Sequence, residues 1–245
     1  MEFFSLHKKK SPGHFIPLTT DIHSHLIPGI DDGAQTEEES LHLIEGLYNL
    51  GYRKLITTPH IYHSRFNNSP EIIKEGVQKL QATCDSRGFN ITLQAAAEYF
   101  FDNYFFEYIE NRSLLTFGKH YVLFELPMNI LPAIIDEIAD NLRNHGYTPV
   151  LAHPERYTYL HDKKMAAYKK LKDQGILLQL NIMSLTGYYN AAVKHAAQNL
   201  VKYGMIDFAG SDIHRQKHIA VLRFAQQDQS YKDLLASGQL LNNLI

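Results

Sequence analysis

The feature that most constrains the fold is an alternation: short apolar, β-branched runs recur along the chain, each followed by a longer stretch of helical period. The candidate strands are "LTTDIH" (18–23), "KLITTPH" (54–60), "ITLQAAAE" (91–98), "YVLFEL" (121–126), "TPVLAH" (148–153), "ILLQLN" (176–181) and "MIDFAGSD" (205–212), seven in all. A helical crossover returns the chain to the same end of the sheet, so strands spaced this way run parallel. The helices between them carry their own punctuation. Thr36 and Glu39 have capping-box spacing at the start of 37–50, and Gly51 ends that segment. Ser69 and Pro70 open a helix running to about Arg87, before Gly88. Pro132 opens 132–145, closed by Gly146, while 162–174 stops at Gly175 and 190–203 at Gly204. With 245 residues, 44% of them hydrophobic, and no repeat, low-complexity tract or long linker, the chain suits one α/β domain. The expected division is an N-terminal extension, 1–18, followed by a single domain, 19–245.

Ligand-type side chains recur at the ends of these strands: His23 and His25, His60, Glu98, Glu125, His153, then Asp212 and His214. In a closed or nearly closed parallel barrel all strands point the same way, so their C-terminal ends meet around one mouth. His23 and His25 are two apart and project to the same face of a strand, as do Asp212 and His214. A lone histidine at a strand end is ordinarily a hydrogen-bonded structural residue, and "DDG" (31–33) alone is a turn. It is the recurrence along successive strands that points to a multinuclear metal site. Imidazole and carboxylate ligands without thiolates suit manganese, iron or zinc in a hydrolytic centre. Counting Asp32, the candidates number nine, which exceeds what one ion can use, so two or three divalent ions are expected.

Composition narrows the alternatives. Lysine and arginine total 24 against 26 acidic residues, so no polyanion-binding surface, and hence no nucleic acid partner, is implied. The lone cysteine, Cys84, excludes an internal disulfide, and no apolar run approaches the ~20 residues that span a bilayer. In "MEFFSLHKKKSPGHF" the basic cluster follows the apolar patch, the wrong order for a secretory signal, and a cytoplasmic protein is expected. Cysteine-thiolate phosphatase chemistry needs HCx5R, but Cys84 follows Thr83 and the sixth residue after it is Asn90. GxSxG and P-loop motifs are missing as well. Any phosphate chemistry must therefore rest on metal.

At these same residues the chain resembles the polymerase and histidinol phosphatase (PHP) superfamily, whose fold is a distorted seven-stranded (β/α)7 TIM-like barrel holding three metals. The motifs "DIHSHLIPGIDDG", the following "EES", "ITTPH", "AAAEYF", "FELP", "LAHPERY" and "GSDIH", from about residue 19 to 226, resemble more narrowly the bacterial tyrosine phosphatases of capsule and exopolysaccharide loci. The resemblance implies that His23, His25, Glu98 and Asp212 hold one metal. Glu98 would bridge to a second held also by Glu125 and His153, and Asp32, His60 and His214 would hold the third. The family's ligand matches the second aspartate of "DDG", which leaves Asp31 out. Arg156, in "HPERY", is placed by the resemblance to grip phosphate. Arg65 and Arg215 are alternative second phosphate donors or solvated loop arginines, since "DIHRQKHI" departs from relatives after the last ligand pair.

The implied activity is a phosphoric monoester hydrolase acting on phosphotyrosine, in a bacterial tyrosine kinase that controls capsular or exopolysaccharide synthesis. Neighbouring divalent ions lower the pKa of a bridging water toward neutrality and neutralise phosphate charge. Manganese is the first expectation among the ions. Two alternatives share the ligand set: a phosphatase for histidinol phosphate or another small phosphomonoester, and a non-catalytic metal-binding regulatory domain. "EYFFDNYFFEYIE" (98–110) begins at the mouth but reads chiefly as a core-packing aromatic helix. Oligomerisation is left open.

Overall fold

The computed structural model describes residues 17–130, 135–162 and 164–245. All but Pro17 and Leu18 of the expected extension thus lies outside the described residues, and so does Pro132 as a helix start. The chain runs β1 (Thr20–Asp21), α1 (Glu37–Asn49), β2 (Lys54–Thr57), β3 (His60–Ile61), α2 (Pro70–Ser86), β4 (Thr92–Ala95) and β5 (Glu98–Phe100). It continues through α3 (Asn103–Glu110), β6 (Tyr121–Glu125), α4 (Ile135–Asn144), β7 (Thr148–Ala152), α5 (Ala166–Asp173), β8 (Leu177–Asn181), α6 (Ala191–Lys202), β9 (Phe208–Gly210), α7 (Lys217–Ala225) and α8 (Gln229–Ala236). Helices α7 and α8 are additions to the elements expected from sequence.

Every strand pair is parallel, in two sheets ordered β1-β2-β4 and β3-β5-β6-β7-β8-β9. Among the described residues the two sheets thus make an α/β parallel half-barrel of nine short strands rather than seven continuous ones. Two of the expected strands are each cut in half. Pro59 has no N–H to give the ladder, so the run through 54–61 breaks there. The neighbouring run breaks beside it at Ala96 and Ala97. Backbone bonds still cross the gap, with Ala96 N donating to Thr57 O (2.9 Å) and Glu98 N to Pro59 O (3.1 Å). Between β1 and β9, Ser24 bridges Ile213 in parallel, Asp212 N donates to His23 O (2.8 Å) and His25 N to Ile213 O (3.0 Å). The first and last ligand pairs of the sequence are therefore neighbours.

Local sequence explains the helix ends. Thr36 accepts from Glu39 N (3.2 Å), while the Glu39 carboxylate reaches Gln35 N (2.7 Å), one residue earlier than a standard capping box. Ser69 caps α2 with Pro70 in its first turn, and Gly51 and Gly88 end α1 and α2 with φ of 107° and 76°. One core lies between helices and strands. A smaller one, with Ile22, Ile56, Leu123, Val150 and Phe208, takes side chains from strand after strand and lies beneath the mouth. Each such fully buried side chain stabilises by roughly 1.5–3 kcal/mol. Along β6, Leu123 enters this inner core and Glu125, two residues on, shares its face at the rim. Among the described residues no helix is long and apolar enough to cross a membrane.

Candidate metal centre

His23 and His25 follow β1 and are fully buried. The Gln179 side-chain amide donates from Nε2 to Leu180 O (2.7 Å), so its Oε1 faces His23 Nδ1 (2.9 Å) as an acceptor and fixes the proton there. Asp31 Oδ2 does the same for His25 Nδ1 (2.7 Å). Both Nε2 atoms are thereby aimed inward. They stand 3.3 Å from each other, with Glu98 Oε2 at 3.1 Å and 3.4 Å, and Asp212 Oδ1 at 3.4 Å and 3.6 Å. Four lone-pair-bearing atoms converging at this range repel one another unless a cation lies among them, so the residues present fit a metal ion.

The pattern continues around the rim. His153 Nε2 lies 3.0 Å from Glu98 Oε1, and His60 Nδ1 lies 3.2 Å from Glu125 Oε1 without a hydrogen bond of acceptable angle. Asp32 Oδ1 faces His60 Nε2 (3.5 Å) and His214 Nε2 (3.4 Å), and it too lacks a hydrogen-bond partner. His214 Nδ1 is satisfied by Asp212 O (2.9 Å), which turns its Nε2 toward Asp32. Among the described residues, four sets of ligand atoms come within 4.8 Å of one another: His25, Asp32, His60 and His214; His23, Glu98 and His153; His23, His25 and Asp212; His60, Glu98 and Glu125. All nine sequence candidates belong to one or more sets. Glu125 groups with His60 and Glu98, its Oε2 being 3.9 Å from His153 Nε2.

The electrostatics carry the same demand for positive charge. Burial opposes the protonated form of His23, yet Glu98 and Asp212 outweigh it and raise the imidazole to about 9. His25 is raised well above its usual value, where Asp31 and Glu98 overcome burial. Burial would raise Glu98, but His23 and His60 hold it well below the ordinary carboxylate range. Asp212 is likewise depressed, with His23, His214 and Arg156 prevailing over burial. His153 is lowered by burial and by Arg156.

His153 and Asp212 both adopt left-handed backbone, with φ of 36° and 49°. Such conformations in non-glycine residues cost on the order of 1–3 kcal/mol and persist only where surroundings enforce them. For Asp212 the enforcement is visible. Ser211 N and Oγ donate to the buried Asp21 carboxylate (2.8 and 2.6 Å), and Asn181 Nδ2 donates to Asp212 Oδ2 (2.6 Å). Gly210 precedes them because a Cβ there would lie 2.5 Å from His23 Cβ and 2.7 Å from Gln179 Nε2. Glu155, buried in "HPERY", accepts from Asn181 N (3.0 Å) and Ser184 Oγ (2.7 Å), and so ties the ends of β7 and β8 together.

Seven of the nine candidates, all but the fully buried His23 and His25, line the floor of a cavity of about 410 Å³. Arg156 lines it, with Nη1 donating to Asp212 Oδ2 (3.1 Å) and the guanidinium 4.6 Å from the Tyr189 ring centroid. Arg65 and Arg215 also line it, both exposed. One wall is aromatic: Tyr62 and Phe100 stack at 3.9 Å and Phe66 lies on His60 at 5.4 Å. Of the aromatic stretch 98–110, only Glu98 and Phe100 reach this cavity, while Phe105 and Ile109 pack into the core from α3. Cys84 is buried on α2, away from the cavity, and burial pushes its thiol up to about 11.

Sequence reasoning missed Gln179, Asn181 and Glu155, and it set Asp31 aside as a ligand without assigning it the His25 bond. A signal existed for the amides: a glutamine and an asparagine within an otherwise apolar, doubly buried strand have to be hydrogen-bonded to something.

A family model for capsular polysaccharide synthesis, CpsB/CapC, matches residues 19–222. The chain belongs to the CpsB/CapC family. The tyrosine-protein phosphatase YwqE of Bacillus subtilis (strain 168) is 28% identical over 198 residues, covering 80% of this chain and 78% of that protein. The tyrosine-protein phosphatase CpsB of Streptococcus agalactiae serotype V is 28% identical over 203 residues, covering 79% and 82%. A chain from the crystal structures of YwqE from Bacillus subtilis and CpsB from Streptococcus pneumoniae, described as unique metal-dependent tyrosine phosphatases, superposes with a TM-score of 0.78. Its identity is 25%, with 90% of this chain and 95% of that one covered. The family resemblance drawn from the motifs is thus borne out, and it extends over nearly the same residues.

Proposed function

We propose that this CpsB/CapC family member is a metal-dependent protein-tyrosine phosphatase. The observation that carries the reading is the convergence of five imidazoles and four carboxylates, with His23, His25 and His214 each held by a bond to Nδ1, at and just beneath the floor of one cavity with an aromatic wall. The names of YwqE and CpsB, and the metal dependence stated for the solved relatives, support it. His23, His25, Glu98 and Asp212 would hold one ion, Glu98 with Glu125 and His153 a second, and Asp32, His60 and His214 a third. Manganese is proposed first, with iron or zinc also suited to this donor set. Bound divalent ions supply an activated water at neutral pH and offset phosphate charge.

The protein's own residues do the rest. Arg156 presents charge-assisted donors to the phosphate oxygens, and Asp212 and Tyr189 hold its guanidinium at the cavity wall. Tyr62, Phe66 and Phe100 seat an aryl ring. A phenolate leaves with a pKa near 10, so no strong general acid is needed among the cavity residues. We read the nine strands as the seven positions of one distorted barrel, with 19–245 as a single domain. The proposed substrate is the phosphotyrosine of a bacterial tyrosine kinase governing capsule or exopolysaccharide synthesis, and the proposed location of this protein is the cytoplasm.

The test is hydrolysis by manganese-loaded protein of a phosphotyrosine peptide beside histidinol phosphate. Faster turnover of the peptide supports the reading. A rate at least about ten times higher on histidinol phosphate, equivalent to ~1.4 kcal/mol in transition-state binding, would replace it with small-phosphomonoester hydrolysis.

A further inference from the structure

A second cavity, of about 640 Å³, adjoins the metal-centre cavity and shares five lining residues with it: Asp32, Arg65, Phe66, His214 and Arg215. A small phosphomonoester would fill the first cavity alone. The second has room for what extends from it.

The charges along this join are unevenly used. Asp31 accepts from His25, the Glu39 carboxylate from Gln35 N, and Asp32 faces two imidazoles. The carboxylates of the second cavity are thus committed within the protein. Arg65 and Arg215 are exposed and form no ion pair among the described residues; the Arg65 guanidinium lies only near the Phe66 ring, at 4.9 Å. Both stand on fixed backbone. Arg65 sits in a tight turn closed by Tyr62 N to Phe66 O (3.0 Å) and Phe66 N to Tyr62 O (2.7 Å). Arg215 is held between His214, bonded to Asp212 O, and His218, whose N–H donates to Arg215 O (2.9 Å). Two guanidiniums on anchored turns, at the junction of the metal-centre cavity and its larger neighbour, complement an extended anionic chain.

Resting on the phosphotyrosine reading, we infer that Arg65 and Arg215 recognise acidic side chains flanking the phosphotyrosine of a peptide laid across the two cavities. They are specificity residues for the substrate's flanks and not its second phosphate grip. This role differs from both that the sequence left open, a second phosphate donor and a solvated loop arginine.

The experiment compares two phosphotyrosine peptides, one with glutamates and one with glutamines at the flanking positions, using the manganese-loaded full chain. It measures kcat/KM for the parent, R65Q, R215Q and the double variant, with metal content as a check on the site. The parent should prefer the acidic peptide by about three- to tenfold at low ionic strength, falling toward unity in roughly 0.5 M salt. Each single substitution should reduce that ratio and the double variant should abolish it, whatever happens to the rate common to both peptides. Equal rates on the two peptides by the parent, or an undiminished ratio in the double variant, overturns the inference while leaving the phosphatase reading intact. A parent inactive on both peptides overturns the reading and, with it, the inference.

Discussion

Replacing Gln179 with methionine tests how much of the metal centre resides behind its ligands. The side chain is fully buried and its Oε1 accepts from His23 Nδ1 (2.9 Å) and His153 N (3.3 Å). Methionine keeps the volume and removes the one oxygen that accepts both bonds. Each buried donor left without a partner costs about 1–3 kcal/mol. For His23 there is an escape: the imidazole can move its proton to Nε2 and present an N–H to Glu98. That relieves the orphan but takes the lone pair from the ion. The expected result is a loss of about 10- to 100-fold in metal affinity, the usual consequence of removing a partner behind a ligating histidine. Gln179→Glu retains an acceptor at the same place and should recover most of the affinity. Titration calorimetry with manganese, alongside thermal unfolding of the metal-free protein, separates the centre from the fold. A methionine variant that binds metal as tightly as the parent would refute the claim that Gln179 fixes the His23 tautomer.

Because His23 is raised to about 9 and His25 well above its usual value in the metal-free protein, both bind protons at neutral pH that an ion has to displace. Metal affinity should therefore weaken as pH falls below about 9, by up to about tenfold per unit for each proton released. Calorimetry in buffers of different ionisation enthalpy should detect that release, and an affinity flat between pH 6 and 9 would contradict the assignment. Arg156→Ala should lower kcat/KM on a phosphotyrosine peptide by about 100-fold or more, the scale for losing a donor to a transition-state oxyanion, with metal content retained. Loss of metal together with activity would instead show that Arg156 acts by supporting Asp212. Cys84, buried with its thiol pushed up to about 11, should resist thiol reagents at pH 8 in the folded protein and react only on unfolding.

Strand positions were legible because β-branched runs between glycine-stopped helices leave few alternatives, and β6, β7 and β8 fall within a residue or so of their expected ranges. The interruption at Pro59 had its signal in the proline, which the strand pattern overrode, whereas the one at Ala96–Ala97 had none in its own residues, since it follows the break in the neighbouring strand. Helices α7 and α8 lack an internal glycine or proline stop between them, so periodicity alone had to mark them. The nine ligand candidates were legible through recurrence at strand ends. Their orientation was not: Gln179 and Asp31 show their partners only when distant segments meet. The left-handed backbone of His153 and Asp212 carries only a weak signal in residue type, histidine and aspartate being enriched there, and tertiary bonds such as Ser211 to Asp21 enforce it.

The seam between β1 and β9 is fastened by residues far downstream. Asn242, fully buried, donates from Nδ2 to Thr20 O (3.0 Å) and Ala209 O (2.7 Å) and accepts from Ala209 N (3.0 Å), while Asn243 Oδ1 accepts from Thr19 N (3.1 Å). A ribosome delivers these asparagines about thirty residues after Asp212 and more than two hundred after His23. A growing chain consequently carries most of its imidazoles while still lacking the clasp that brings the two edges together. Acquisition of cations in full is deferred until residue 242 has been made, and a nascent polypeptide stalled before it would be a poor scavenger of metal.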